Sequence, residues 1–475
     1  MTALHDPPAS GTYSAITDDA LGSHDLVGLV DLLAKREVDP SELVAAARER
    51  AADSQPILNA VTSWVDQPTP RDDAGPLAGI PTFLKDNEQL AGLPTREGSR
   101  AVPSELAERT SPIGSLFEQL GATFLGKSSM PEFGLTATTE PLLTGPTHNP
   151  WALGHSAGGS SGGAAALVAA GVVPWAHAND GGGSIRIPAA CCGLVGLKPS
   201  RGRLPNSPEA DQLPIPIVTQ GVLTRSVRDT ALILAEAEKR YRPAVDLEPI
   251  GLVQGPGRRR LRVGFVVQGP AGPVSPEVAS NVRSCANVLD GLGHHVDEVD
   301  LGVTPQFGRD FLRYWAGLAF ALKLGGPRLY GPDFATSRLE PFTLGLGQFF
   351  RTIALGVPAS LLRLRAFRER HAANFETVDV VLSPTIGSPP PPLGYLSPDE
   401  DFRTHATRLL PFAGFTAVQN VAGTPAINVP VGTAADGRPI GIQLGGPTGS
   451  ERVLLELAFE LEQAVGWAQS PPRTS

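Results

Sequence analysis

The chain contains only three cysteines, Cys191, Cys192 and Cys285. Neighbouring cysteines do not readily bridge each other, and an odd count argues against a disulfide framework. No CxxC pair is present, so a cysteine zinc site is not expected. Positive charge is also in short supply. Lys and Arg number 39 against 48 Asp and Glu, a formal net charge of −9. That balance speaks against a nucleic-acid binder. The densest basic run, Arg258-Arg259-Arg260 with Arg262, reads as a solvated loop edge. No apolar stretch reaches the roughly 18 residues of a spanning helix. Met1 to Tyr13 is polar and lacks the apolar segment of a signal peptide. The nine histidines show no HExxH or other ligand spacing. The expectations are therefore no metal, no cofactor, no nucleic acid, no membrane, and a reducing, cytoplasmic setting.

What is present suits a globular enzyme. The chain has 475 residues, 41% hydrophobic and 18% charged, enough for a large core. Its 53 glycines and 46 prolines are spread along the sequence and imply many tight turns. Helical spacing is read over residues 25–33 and, after Pro40, over Leu43 to Arg50. Gly79 to Lys85 is a short apolar run that reads as a buried strand. Further helices are expected at Ser111–Leu120, Ala164–Ala170, from Ser226, at Ser275–Leu292, through most of 310–375, and at Glu451–Val465. Strands are expected at Ala122–Leu125, Val172–Trp175, Leu261–Val267, His295–Val299, Val378–Leu382, Ala426–Val431 and Pro439–Leu444. Asn179–Gly183 reads as a glycine loop and Pro389–Pro392 as a stiff surface turn. The alternation predicts an α/β layered fold. One domain is expected over 25–465, with short tails at 1–24 and 466–475.

Two motifs point away from their usual meaning. Gly121 to Ser128 has phosphate-loop spacing, but that loop must follow a strand and open a helix. Here an apolar, strand-like stretch occupies the loop positions. Gly158-Gly159-Ser160-Ser161-Gly162 has nucleophile-elbow spacing, yet a loop precedes it where an elbow needs a strand. A Ser–His–Asp site would also need a later histidine. His371 sits on an Arg-rich helix and is expected to be exposed, and nothing around His405 suggests a base.

Nucleophilic amide cleavage needs a serine, a base and donors for an oxyanion. Ser184 follows three glycines, Gly181, Gly182 and Gly183, whose N–H groups could form an anion nest. A surface serine in a glycine turn is the plainer alternative. Lys85 ends the apolar run 80–84. If it enters the core its pKa falls, and a neutral lysine can act as a base; otherwise it snorkels to solvent. The Gly-Ser tract at 158–163 is too small-sided for core, and its serines could relay a proton between the two. Cys191 and Cys192 sit in an apolar stretch and read as packing.

Taken together, Gly158 to Gly163 followed by Asp180-Gly-Gly-Gly-Ser-Ile-Arg186 resembles the signature of the amidase signature family. Lys85-Asp86-Asn87 is similar to the family's lysine motif. Gly126 to Gly134 resembles its "GKTNMPEFG"-like stretch, with Ser129 where asparagine is common. Gly196 to Arg203, Phe415 to Val431 and Gly441 to Gln443 also fit, so the resemblance runs from about residue 25 to 465. It implies a single-domain α/β fold with a central mixed β-sheet covered by helices on both faces. It further implies an amide hydrolase working through an acyl-enzyme on Ser184, with Ser160 as relay on a cis peptide and Lys85 as base. Gly181, Gly182 and Gly183 would belong to the oxyanion hole, Ser161, Asp180 and Arg186 would hold the loop, and the main chain near Gly134 would touch substrate. Lys198 to Pro205 departs from the amidotransferase subunits of the family and is more similar to its freestanding amidases, including those acting on cyclic nylon dimers. The acyl pocket is expected in 130–150 and 300–400. There Phe311, Tyr314, Trp315, Phe320, Phe342, Phe349 and Phe350 either line it or form helical core. The expected partner is a small-molecule amide, with a homodimer as the assembly to test.

Overall fold

The structure, a computed structural model, describes residues 10–70, 75–243, 245–269 and 272–472. Strands in chain order are β1 (Val61–Trp64), β2 (Pro81–Lys85), β3 (Thr123–Ser128), β4 (His148–Asn149), β5 (Ala152–Ser156), β6 (Trp175–Asp180), β7 (Val195–Lys198), β8 (Thr219–Thr224), β9 (Arg262–Phe265), β10 (His295–Glu298), β11 (Val380–Pro384), β12 (Ala426–Thr433) and β13 (Pro439–Gly445). Eight of them form one mixed sheet in the order β10-β9-β11-β13-β12-β7-β8-β6. β10, β9 and β11 run parallel to one another, and the pairs from β11 through to β6 are antiparallel. Every residue of β6, β7, β8, β11 and β13 is buried. Successive strand side chains point to opposite faces, so both faces of the sheet are covered along these strands, while the edge strand β10 is largely exposed. A three-stranded sheet, β1-β3-β2, stands apart from it, and β2 packs against β6.

The helices follow the apolar spacing closely. The helix Glu451–Val465 has the expected bounds, and Pro276–Gly291 starts on Ser275, whose hydroxyl accepts from Val278 N–H. The stretch 305–373 is carried by the helices Pro305–Leu329, Pro341–Ile353 and Val357–Ala373. The second helix runs past Arg50, over Pro40–Leu58.

Several expectations change in the structure. The strand expected at Val172–Trp175 begins at Trp175 and runs on to Asp180. Pro174 has no N–H to give a ladder, and pairing with β8 begins with the residue after it. Asn179 and Asp180 therefore end a strand, and the glycine loop begins at Gly181. Pro389–Pro392 is not a free surface turn. Pro390 and Pro391 are buried, and the Pro391 carbonyl accepts the Ser156 N–H at 2.9 Å. His371 is buried, between the rings of Phe367 and Phe375. Residues 10–24, set down as a tail, lie along the body, with Tyr13 N–H donating to Pro150 O and Ala15 N–H to Ala170 O. The basic run is an ion-paired edge: Arg259 and Arg262 meet Asp379, and Arg260 meets Glu460.

Candidate active site

The site lies where the end of β2, the Gly-Ser tract and the loop after β6 meet. Lys85 is the last residue of β2 and is fully buried. Its backbone N–H donates to His177 Nδ1 at 3.2 Å. That contact leaves the His177 proton on Nε2, facing Gln220 Oε1 at 2.9 Å, and Gln220 in turn donates to Glu88 at 2.9 Å. Burial pushes the His177 pKa down to about 3, so the ring is a neutral strut. β2 is thereby pinned to β6 and β8 at the residue carrying the amine.

Lys85 Nζ donates to Ser160 Oγ at 2.7 Å and to Asn179 Oδ1 at 2.7 Å. Burial lowers its pKa to about 7, against the opposing pull of Asp180, Glu88 and Glu97. An amine with that pKa is neutral about half the time near pH 7, which suits a base. Ser160 is buried and follows a cis peptide from Gly159. Thr139 clamps the tract around it, donating to Gly158 O at 2.8 Å and accepting from Gly162 N–H at 3.2 Å. Ser161 Oγ donates to Asn179 O at 3.4 Å. Gly134 (φ +66°) closes against the serine, and a Cβ there would stand 3.0 Å from Ser160 Oγ. That backbone angle and that space both favour glycine.

Asp180, the last residue of β6, organises the next turn. Its carboxylate accepts from Gly183 N–H at 2.7 Å and Ile185 N–H at 3.2 Å. Arg186 Nε and Nη2 each donate to it at 2.9 Å. Burial alone would raise this carboxyl, but the Arg186 charge and hydrogen bonds hold it down at about 2. Arg186 is fully buried and also donates to Gln419 Oε1, Gln443 Oε1, Asn420 Oδ1 and the Thr416 carbonyl, at 2.8–2.9 Å. Paired and saturated with acceptors, the ion pair fixes the loop that presents Ser184.

Ser184 lines a cavity of about 110 Å³ together with Gly134, Gly159 and Gly182. Across from them stand Phe311 and Trp315, stacked at 5.6 Å, with Trp315 Nε1 held by Leu135 O at 3.0 Å. The oxyanion expectation needs one correction. The Gly183 N–H is engaged by Asp180, so it is not free for a ligand. Gly183 also has no room to turn, because a Cβ there would meet Thr416 Oγ1 at 2.2 Å and Ile187 Cδ1 at 2.6 Å. Among the described residues no hydrogen bond joins Ser160 to Ser184; Ser184 lines the cavity, whereas Ser160 lies behind its lining residues Gly134 and Gly159.

Other sequence candidates fall elsewhere. Lys127, the lysine of the phosphate-loop spacing, is buried in β3 and paired with Asp86 at 3.0 Å. A strand at those positions offers no cradle for phosphate. His405 is buried, bonded to Thr136 and Ser397 and stacked on Phe342, and burial lowers its pKa to about 4. Cys191 and Cys192 are buried thiols that burial pushes well above their usual range. Among the described residues no group of three or more His, Cys, Asp or Glu could hold a metal, and no helix is long and apolar enough to cross a membrane. Of the aromatic set, Phe311 and Trp315 reach the cavity. Phe342 is core, Phe320 stacks on Phe350, and Tyr314 donates to Ile215 O at 2.7 Å. Asn179 and Gln419 carry no motif of their own. Asn179 could have been found only by its place five residues before Ser184.

The family model described as Amidase matches residues 54–455. A Mycobacterium tuberculosis protein carrying an amidase name, AmiC, is 45% identical over 463 residues, covering 96% of this chain and 97% of that one. The 6-aminohexanoate-cyclic-dimer hydrolase of Pseudomonas sp. (strain NK87) is 32% identical, with 94% and 96% covered. A solved 6-aminohexanoate cyclic dimer hydrolase with its substrate superposes with a TM-score of 0.85 at 29% identity, covering 95% of this chain and 99% of that one. A bacterial aryl acylamidase superposes at 0.80 and 27% identity, with 94% and 97% covered. A buried lysine, a Gly-Ser tract and a serine on an Asp–Arg-braced glycine turn thus sit in a fold shared end to end with amide hydrolases, and the chain belongs to the amidase signature family, hydrolases of carbon–nitrogen bonds.

Proposed function

We propose that the chain hydrolyses a carboxamide to a carboxylate and ammonia or an amine through an acyl-enzyme on Ser184. The observation that supports this most is the 2.7 Å contact between the buried Lys85 amine and Ser160 Oγ beside the cavity that holds Ser184. Neutral Lys85 takes the Ser160 proton as Ser160 takes the Ser184 proton, and Ser184 Oγ bonds to the substrate carbonyl carbon. The oxygen that gains charge is held by the N–H groups of Gly182 and Ser184, with Gly181 next to them. Collapse breaks the carbon–nitrogen bond, and the proton returns through Ser160 to the departing nitrogen. Water then attacks the ester, gives its proton to the same relay, and the carboxylate leaves with Ser184 restored. Ser161, Asp180 and Arg186 keep the loop in place, and Asn179 orients the lysine.

The test is a panel of short aliphatic, aryl, anilide, amino-acid, cyclic and glutamine amides followed by mass spectrometry, with Ser184→Ala alongside. The wild type is expected to cleave some members and the variant none, with loss of about 10⁶-fold for a missing nucleophile. A serine-reactive phosphonate is expected to label Ser184. Full activity in the variant would sink the assignment.

A further inference from the structure

We infer that the cavity beside Ser184 is an acyl-group site for an uncharged apolar group about the size of a phenyl ring or a short alkyl chain, and that Gly308 sets its size. This rests on Ser184 being the nucleophile. None of the side chains bordering the cavity is charged. Its two polar ones are Ser184 itself and Thr136, whose hydroxyl is occupied by His405. An ammonium or carboxylate placed there would lose its water without gaining a partner, at large cost. Amino-acid amides and glutamine are therefore poor occupants. A dry apolar cavity of about 150 Å³ accommodates benzene, and this one, at about 110 Å³ and partly open, is of that order.

One wall is a single helical face. Gly308, Phe311, Leu312 and Trp315 lie at i, i+3, i+4 and i+7 on the helix Pro305–Leu329, so they project together. Phe311 and Trp315 stand off the nucleophile loop by about the width of one methyl group. A Cβ at Gly182 would be 3.5 Å from Phe311 Cζ, and one at Gly181 would be 4.0 Å from Trp315 Cη2. Gly308 is different, because a Cβ built there meets nothing within 4 Å. A glycine weakens a helix interior, and no packing contact requires one here. The missing side chain is cavity space. A larger residue at 308 would take that space from the acyl group and leave the helix at least as stable.

The experiment compares kcat/KM for acetamide, butyramide, hexanamide, benzamide, 6-aminohexanamide and L-glutamine in the wild type, Gly308→Ala and Gly308→Leu, with thermal melts and phosphonate labelling of each. At roughly fourfold per buried methylene, hexanamide is expected to exceed acetamide by at least roughly 50-fold in the wild type. 6-Aminohexanamide and glutamine should fall well below hexanamide. The hexanamide-to-acetamide ratio should drop stepwise through Gly308→Ala to Gly308→Leu, with melting temperatures equal or higher. The inference is overturned by a flat chain-length profile, by glutamine turnover matching hexanamide, or by a Gly308→Leu effect equal on every substrate. Those failures would come with Ser184 still labelled by phosphonate. Absence of both labelling and hydrolysis would instead remove Ser184 as nucleophile and the inference with it.

Discussion

Among the described residues, Asn179 is the one polar side chain besides Ser160 that hydrogen-bonds the Lys85 amine, at 2.7 Å through Oδ1, and it gives a handle on the pKa of the proposed base. In the wild type the rate is carried by the neutral amine. With Lys85 at about 7, kcat/KM on an amide that does not itself titrate should fall tenfold per pH unit below that value and level off above it. Asn179→Asp sets a carboxylate beside the ammonium form. An opposite charge at such a distance favours the charged amine by about 1–3 pKa units. The acid limb should therefore move up, and the rate at pH 7 should fall by roughly 10-fold or more while recovering toward pH 9–10. Asn179→Leu removes a carbonyl acceptor that favours the ammonium, so its limb should move down. The assay is a pH profile from 5 to 10 for all three proteins, with circular-dichroism melts at each pH. If both substitutions merely lower the plateau and leave the limb where it is, Asn179 only packs and does not tune the lysine. A wild-type limb near pH 10 would refute the buried, neutral base itself.

Two further outcomes are expected. Moving the lysine from 10.5 to about 7 costs about 5 kcal/mol of folding stability at pH 7 and below. Between those pH values the unfolded chain binds a proton that the native protein does not, so stability rises with pH across that window. Lys85→Met should abolish turnover yet flatten that rise, as urea titrations from pH 6.5 to 10 would show; an unchanged slope would mean that the native amine titrates near its ordinary value. Gly183→Ala should lose about 100-fold or more in kcat, because its Cβ would overlap Thr416 Oγ1 and Ile187 Cδ1 at φ +132°. Near-normal turnover by that variant would show that the turn below Ser184 can shift without consequence.

The parts of this molecule that rest on short-range pattern were readable. The run ending in Lys85 is the strand β2, and the Ala-rich helix after the Gly-Ser tract is in place at Gly162–Ala169. β7 and β8 were not readable, and their glycines show why. Gly196 lies under Ala189, where a Cβ would come within 2.7 Å of the alanine methyl, and Gly221 lies under Ile185 at 2.7 Å. These glycines mark a helix pressed onto a strand, yet in one dimension they look like breaks between strands. The same ambiguity governs the site. Three glycines before Ser184 suggest a nest of free N–H groups, but one of those groups belongs to Asp180, and only the folded chain shows which.

The long-range half of the site had no sequence signal that one chain could supply. Arg186 is recognisable as a loop brace, but Gln419, Asn420 and Gln443 join it from more than 230 positions away, and neutral amides have no period or charge that would announce them. The cavity is hidden for a related reason. Phe311 and Trp315 recur with the spacing of any inward helical face, so the pattern says only that the face points inward, not whether atoms or space lie there. Gly308 resolves that in the structure. A glycine on an apolar face is either a site of close approach or a site of missing volume, and the distance from its absent Cβ to the nearest atom tells which. At Gly183 that distance is 2.2 Å and the residue is there to let chain segments meet; at Gly308 nothing lies within 4 Å, and what the residue makes room for is not protein.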